Sequence, residues 1–181
     1  MVTSSIKVGN YMYSASEYLP YDHESSRVAA SMAQMILAAD GKLRVEHVGS
    51  TAVPGCWGKG IVDLIVLYPS GRLDDAREVV DRLGFQQQDG AESFPETRLM
   101  RVGTVEHLGR EYRVHVHVLE DGCTEARDLI KFRDLLRSNV SLRRAYEMEK
   151  RAILSRGITR STQYSKAKGE FIRTALAAAA F

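Results

Sequence analysis

Cysteine is nearly missing from this sequence: Cys56 and Cys123 are its only two, and their spacing matches no metal-binding pattern. That argues against a disulfide scaffold and makes the reducing cytoplasm the expected location. Long apolar runs are missing too, so no span of a bilayer is expected, and the Ala-rich "TALAAAAF" reads as a helix end. The opening "MVTSSIKVGNYMYSASEYLPYDHE" has no apolar signal core. Charge of one sign is also scarce. Twenty-five Lys and Arg stand against 23 Asp and Glu, and a net charge of +2 gives no electrostatic case for nucleic acid or a membrane surface as partner. Internal repeats and low-complexity linkers are absent as well. What remains is a chain of 181 residues, 44% hydrophobic, with enough length to bury a core and a size that suits one domain.

The pattern along the chain is mixed. Residues 1 to about 23 are tyrosine-rich and irregular. "SSRVAASMAQMILAAD" predicts a helix, with Ser25 or Ser26 as cap, a stripe of Val28, Met32, Met35, Ile36 and Ala39, and Gly41 as its stop. "LRVEHV" predicts a short strand ending at Gly49. "GIVDLIVLY" predicts a central strand buried on both faces. "LDDAREVVDRLG" predicts a helix with early acidic residues. "FQQQ" and "TRLMRVG" predict two outer strands around "DGAESFPE", and "YRVHVHVLEDG" a third good strand. Three helices follow, with Thr124, Ser141 and Ser161 or Thr162 as their caps. This order predicts an α/β or α+β fold: a core over about 1–123 and C-terminal helices over about 124–181.

Three places suggest chemistry. The turn Gly49-Ser50-Thr51 follows a strand, and its N–H groups and hydroxyls can cradle a phosphate, although on spacing alone a plain turn capping the next segment is the better reading. It is not a Walker A loop, because Val53 stands where the first glycine is required and Gly60 follows Lys59. Lys59 can offer a point charge to an anion. Asp63 shares a strand face with Ile61, Ile65 and Leu67, where a carboxylate needs a partner, a metal or an open cleft. In "RVHVHV", Val114, Val116 and Val118 face one side while Arg113, His115 and His117 face the other. Two histidines so placed can share a metal, or act as acid and base near neutral pH. Cys56 beside Trp57 reads as a packed thiol. On the helices, Arg133 and Arg137 lie one turn apart, as do Tyr164 and Lys168, and each pair reads by default as a solvated face.

Together these residues resemble the GrpB family (UPF0157), whose members carry a block of the form "EHVGSTAVPG" followed by a lysine and an aspartate in an apolar strand. "YDHE" at Tyr21, "HVHV" at His115, "FRDLLR" at Phe132 and "YSKAKGEFI" at Tyr164 extend the resemblance from about Leu19 to Leu176. It implies a nucleotidyltransferase-like fold, with a mixed sheet flanked by helices and a C-terminal helical segment. In that fold a Gly-Ser turn holds nucleotide phosphates and paired carboxylates hold divalent metal. Here Ile65 stands where the second carboxylate would, histidines stand on the neighbouring strand where an acid would, and Gly60 replaces the usual proline.

The expected site is therefore Asp63, His115 and His117 for catalysis, with Asp63 as the one metal ligand if a metal is used. His47, Gly49, Ser50, Thr51, Lys59, Arg98, Arg133, Tyr164 and Lys168 are the expected phosphate or substrate contacts. The cofactor is magnesium with a nucleoside triphosphate, or none. The partner is a small molecule, either a nucleotide or an acidic metabolite. Three functions remain open: nucleotidyl or phosphoryl transfer, acid-base chemistry on a metabolite by Asp63 with His115 or His117, and ligand binding without turnover.

Overall fold

The computed structural model describes residues 7–13, 17–88, 98–158 and 161–179, the side chains of residues 161 and 162 excepted. The expected "DGAESFPE" connection and the cap of the last helix lie outside these residues.

The elements run β1 (Val8–Gly9), α1 (Glu24–Ala39), β2 (Arg44–Val48), β3 (Val62–Tyr68), α2 (Leu73–Arg82), β4 (Gln86–Gln87), β5 (Met100–His107), β6 (Arg110–Glu120), α3 (Thr124–Ser138), α4 (Val140–Ser155) and α5 (Ser161–Ala178). The sheet order is β1-β5-β6-β3-β2, with β4 also pairing with β5. β3 and β6 are parallel, as the long crossover through α2 permits, and the other pairings are antiparallel. The expected mixed sheet with flanking helices is thus present.

One strand is longer than its sequence suggested. Gly103 reads as an end, yet β5 continues to His107 and pairs with β6 as far as His107↔Arg110. Leu108 and Gly109 between them have φ 51° and 73°, the double left-handed turn that matches the twist of a hairpin. Gly103 is there for space rather than for a turn. A Cβ on it would lie 2.4 Å from Val8 Cγ1, so β1 packs directly against β5.

The helix caps also differ from expectation. At α1 neither Ser25 nor Ser26 caps: Asp22 Oδ1 accepts the Glu24 N–H at 3.0 Å, and Ser25 is buried. At α3 the Cys123 sulfur, not Thr124, takes the Ala126 N–H at 3.4 Å. At α4 Asn139, not Ser141, takes the Leu142 N–H at 2.9 Å. In each case a residue upstream of the expected one has the extended backbone or the reach that a cap requires.

Strand alternation builds the core. Val62, Leu64, Val66, Val114, Val116 and Val118 face α1 and α2, where Val28, Met32 and Ile36 are fully enclosed. On the opposite face Val48, Ile65, Leu67 and Leu119 pack against α3 through Ala126. A third cluster joins Val53 and Cys56 to Phe132 and Leu136 of α3, Tyr146 of α4 and Phe171 and Ile172 of α5. The C-terminal helices therefore cover only part of the second face.

Candidate functional site

The uncovered part of that face is where Asp63 stands. The parallel register of β3 and β6 sets Asp63 beside His115 and Ile65 beside His117, and the antiparallel register of β2 sets Val48 beside Asp63. Over this strip lies a cavity of about 310 Å³. Gly49, Ser50, Gly58 and Lys59 reach it from the loop after β2, and Arg98 and Met100 from β5 and the residues before it. Tyr146 and Lys150 come from α4, and Tyr164, Ser165 and Lys168 from α5.

Two glycines let the loop close in. Gly49 has φ 72°, and a Cβ there would lie 2.4 Å from Asp63 Oδ2. A Cβ on Gly58 would lie 2.1 Å from Ser50 Oγ. The loop backbone thus touches the two polar side chains at the cavity floor with nothing between, a contact that only glycine allows.

The charges in the cavity are set mainly by burial. Burial pushes the Asp63 carboxyl up to about 6, although Lys168 and Lys59 pull it back. Its side chain remains 28% exposed, through the cavity. Burial pushes His115 down to about 3 and His117 down to about 4, with nearby cations adding to the effect. Both imidazoles are therefore neutral at neutral pH. His115 Nε2 lies 2.7 Å from the Tyr11 hydroxyl, which burial raises to about 12. His115 Nδ1 is 3.8 Å from Asp63 Oδ1, too far for a hydrogen bond.

Cations dominate the wall. Lys59 Nζ sits 4.1 Å from the centre of the Tyr164 ring and Lys168 Nζ 5.4 Å from it. Lys150 is 2% exposed and lies 4.5 Å from the Tyr146 ring centre. Its ammonium donates to the Trp57 carbonyl and approaches Cys56 Sγ at 3.5 Å. Burial lowers both Lys150 and Lys168, and the neighbouring Lys168 charge lowers Lys150 further. Arg98 is paired with Glu125 on α3 through its Nε at 3.0 and 3.2 Å and through Nη2.

Of the residues expected from the sequence, Gly49, Ser50, Lys59, Asp63, Arg98, His115, His117, Tyr164 and Lys168 line this cavity. His47, Thr51 and Arg133 do not. His47 Nε2 is 3.0 Å from Thr51 Oγ1, whose proton goes to the Ile61 carbonyl, so the neutral histidine pins the loop from the helix-covered side. Burial lowers that histidine to about 4. Arg133 holds Glu46 Oε2 at 2.7 Å and the His47 carbonyl at 3.0 Å, and Arg137 holds the Ala52 carbonyl at 2.9 Å. The "FRDLLR" arginines thus fasten α3 to the backbone around the loop. Thr51 lines a second cavity, of about 590 Å³, that shares Ser50, Gly58 and Lys59 with the first. The "YDHE" carboxylates bind the β5–β6 hairpin, Asp22 through Tyr112 and Arg110 and Glu24 through His107.

Sequence reading missed Tyr11, Tyr146, Lys150 and Ser165. Only Lys150 left a signal. Leu142, Tyr146, Lys150 and Ile153 recur at helical spacing, and a lysine inside an apolar stripe departs from an ordinary solvated face.

The residues do not fit the magnesium pair that the resemblance implies. The position of the second carboxylate is Ile65, wholly buried against α3, and its neighbour across β6 is a neutral histidine. Among the described residues no group of three or more His, Cys, Asp or Glu is placed to hold a metal ion. Magnesium needs several oxygen donors in octahedral arrangement, and Asp63 alone offers one carboxylate.

Comparison with known proteins agrees with the motif. A UPF0157 protein of Streptomyces coelicolor is 35% identical over 128 residues, 71% of this chain and 64% of that protein. One of Pseudomonas aeruginosa is 35% identical over 159 residues, 86% of this chain and 64% of that protein. The chain thus spans a little under two thirds of the length of these two relatives. The crystal structure of the conserved protein GrpB from Enterococcus faecalis superposes with a TM-score of 0.62 at 20% identity, covering 87% of this chain and 98% of that one. A cytoplasmic RNA terminal U-transferase is a weaker match, with a TM-score of 0.48 at 10% identity over 80% of this chain and 44% of that one. Among the described residues no helix is long and apolar enough to cross a membrane. The GrpB protein family matches residues 17–178, and the chain belongs to that family.

Proposed function

We propose that the cavity over Asp63 binds a phosphate-bearing small molecule, and that the protein is an enzyme transferring a phosphoryl or nucleotidyl group from it to an acceptor. One observation carries this reading. Among the described residues Asp63 is the one carboxylate in the lining, and it shares the cavity with Lys59, Lys150 and Lys168. Preorganised cations in a space shielded from water stabilise the charge of a phosphoryl group in transfer. Asp63, ionised above about pH 6, can take the proton of an acceptor hydroxyl as that oxygen attacks. The neutral histidines hold the floor of the site, and Ser50 and Ser165 offer hydroxyl donors to the ligand.

A second reading has its own support. That the described residues hold no metal-ligand set favours acid-base chemistry on an acidic metabolite, whose carboxylate the same lysines would hold while Asp63 moves the proton. Thermal unfolding against a panel of nucleoside mono-, di- and triphosphates and of di- and tricarboxylates separates the two. A ligand at about a hundred times its Kd stabilises by about 2.7 kcal/mol, a shift of several degrees. Stabilisation by phosphates alone supports the first reading, and stabilisation by carboxylates alone replaces it with the second. With a stabilising ligand in hand, Asp63→Asn is expected to keep its binding and to lower turnover by about 10²–10⁴. Full turnover in that variant removes Asp63 from the chemistry.

A further inference from the structure

The larger cavity, of about 590 Å³, meets the smaller one at a thin wall. Ser50, Gly58 and Lys59 line both. A Cβ on Gly58 would lie 2.1 Å from Ser50 Oγ and 3.8 Å from Lys150 Nζ, so the wall at this point is glycine backbone and one hydroxyl. Gly49, next along the chain, lies against Asp63, where a Cβ would be 2.4 Å from Oδ2. The cavities also approach each other at Cys56, which lines the larger, because Lys150 of the smaller stands 3.5 Å from its sulfur.

Residues of the larger cavity hold this wall in place. The Leu19 N–H donates to the Gly58 carbonyl at 2.7 Å, and the Gly58 N–H to the Leu19 carbonyl at 3.0 Å. Arg113 Nη2 donates to the Lys59 carbonyl at 3.0 Å. Leu19 and Arg113 both face the larger space, so an occupant there touches the groups that position the loop.

The larger cavity has recognition chemistry of its own. Ser25, in the first turn of α1, lines it and is 1% exposed. Among the described residues the Ser25 hydroxyl has no hydrogen-bond partner, a costly state for a buried group that a ligand hydroxyl would relieve. At the rim, Asp22 Oδ2 accepts from the Tyr112 hydroxyl at 3.0 Å and lies 2.9 Å from Arg110 Nη2. Opposite charges thus stand side by side. An anion would meet Asp22 and a cation would meet Arg110, whereas one ligand hydroxyl can donate to the first and accept from the second. The volume is that of an ordinary small-molecule site.

Resting on the reading that a phosphoryl or nucleotidyl group leaves a donor in the smaller cavity, we propose that the larger cavity is the acceptor site and takes an uncharged polyhydroxylated small molecule. Ser25, Asp22 and Arg110 bind the body of the acceptor, and one of its hydroxyls crosses beside Ser50 to the donor. The acceptor oxygen bonds to phosphorus as the donor's phosphorus–oxygen bond breaks. The hydroxyl proton passes to Asp63, and the leaving oxygen keeps the bonding pair.

The test is ligand-observed NMR titration of the whole chain with glucose, myo-inositol, glucosamine and gluconate. Glucose or myo-inositol is expected to bind, and more tightly than the two charged compounds. Ser25→Ala and Arg110→Gln are each expected to weaken that binding about tenfold and to leave stabilisation by phosphates unchanged. Where Ser25→Ala does not fold, Arg110→Gln carries the test. With a stabilising phosphate as donor, phosphorus NMR is expected to show the polyol's phosphorylated or nucleotidylated product, with KM for the polyol raised and kcat kept in Arg110→Gln. Binding of glucosamine or gluconate alone, binding undiminished in both variants, or no binding of any of the four overturns the inference and leaves the transfer reading standing. Transfer to water alone does the same. Polyol binding as expected, with no group transferred from any stabilising phosphate, overturns the acceptor role and the transfer reading together.

Discussion

The two faces of the central strands β3 and β6 come from the same alternating sequence, and they were put to opposite uses. On one face Val62, Leu64, Val66, Val114 and Val116 meet two helices and are closed off entirely. On the other, α3 reaches only as far as Ile65, Leu67 and Leu119, and Asp63, His115 and His117 are left under a cavity. Polar groups survive inside a sheet only where covering helices stop short, because an enclosed charge without a partner would neutralise or destabilise the fold. The comparison teaches that the site is defined by where packing ends as much as by which residues it contains.

The faces should respond to mutation in opposite ways. Leu64→Ala on the enclosed face removes a fully buried side chain and should cost about 2–5 kcal/mol in urea unfolding. Asp63→Asn on the adjacent position should instead stabilise the protein at pH 7, by about 1–3 kcal/mol, since its carboxyl is harder to ionise in the fold than in the unfolded chain. If Asp63→Asn unfolds more easily than the parent at pH 7, the carboxylate is paired more strongly than its burial implies. Gly58→Ala should cost about 1–3 kcal/mol and weaken ligand binding, because its new methyl would displace the Ser50 hydroxyl. A crystal structure of that variant with Ser50 unmoved would refute the close-packing account.

Acid sharpens the same contrast. His47, His115 and His117 have folded values lowered to about 4, 3 and 4, so the unfolded chain binds their protons first. Stability should fall as pH drops from about 6.5 towards 3, and level off below. Asp63 acts with the opposite sign: its folded value of about 6 makes the fold bind the proton first, so its term destabilises progressively as pH rises from about 4 to 6. Three histidines outweigh one aspartate, so net stability should rise with pH over this interval. His115→Gln should flatten the rise, measured as urea midpoints against pH. The smallest effect is expected at the rim. Arg98→Gln breaks a partly exposed pair with Glu125 and should change stability by less than about 1 kcal/mol.

Much of this was legible in the residues. Alternation in "GIVDLIVLY" and "RVHVHV" placed Asp63, His115 and His117 on their strands, because side-chain direction in a strand follows from period two alone. The caps were less legible. Several residues of a helix start can accept the same N–H groups, and backbone geometry chooses among them, as it chose Asn139 over Ser141. The β5–β6 hairpin was obscured because Gly103 looks like a turn in sequence and is a packing device in space. His47 and Arg133 belong to a motif that resembles a site, yet their hydrogen bonds go to the loop and strand that carry it.

The sequence by itself determined the strand faces, the helix stripes and the single carboxylate at Asp63, since these depend on local periodicity and residue type. Only the tertiary structure decided the protonation of the histidines and the gathering of Lys59, Lys150 and Lys168 around one cavity. Both depend on contacts between distant segments: burial on the cavity floor lowers an imidazole, and three ammoniums meet only because a loop and two helices converge on one cavity.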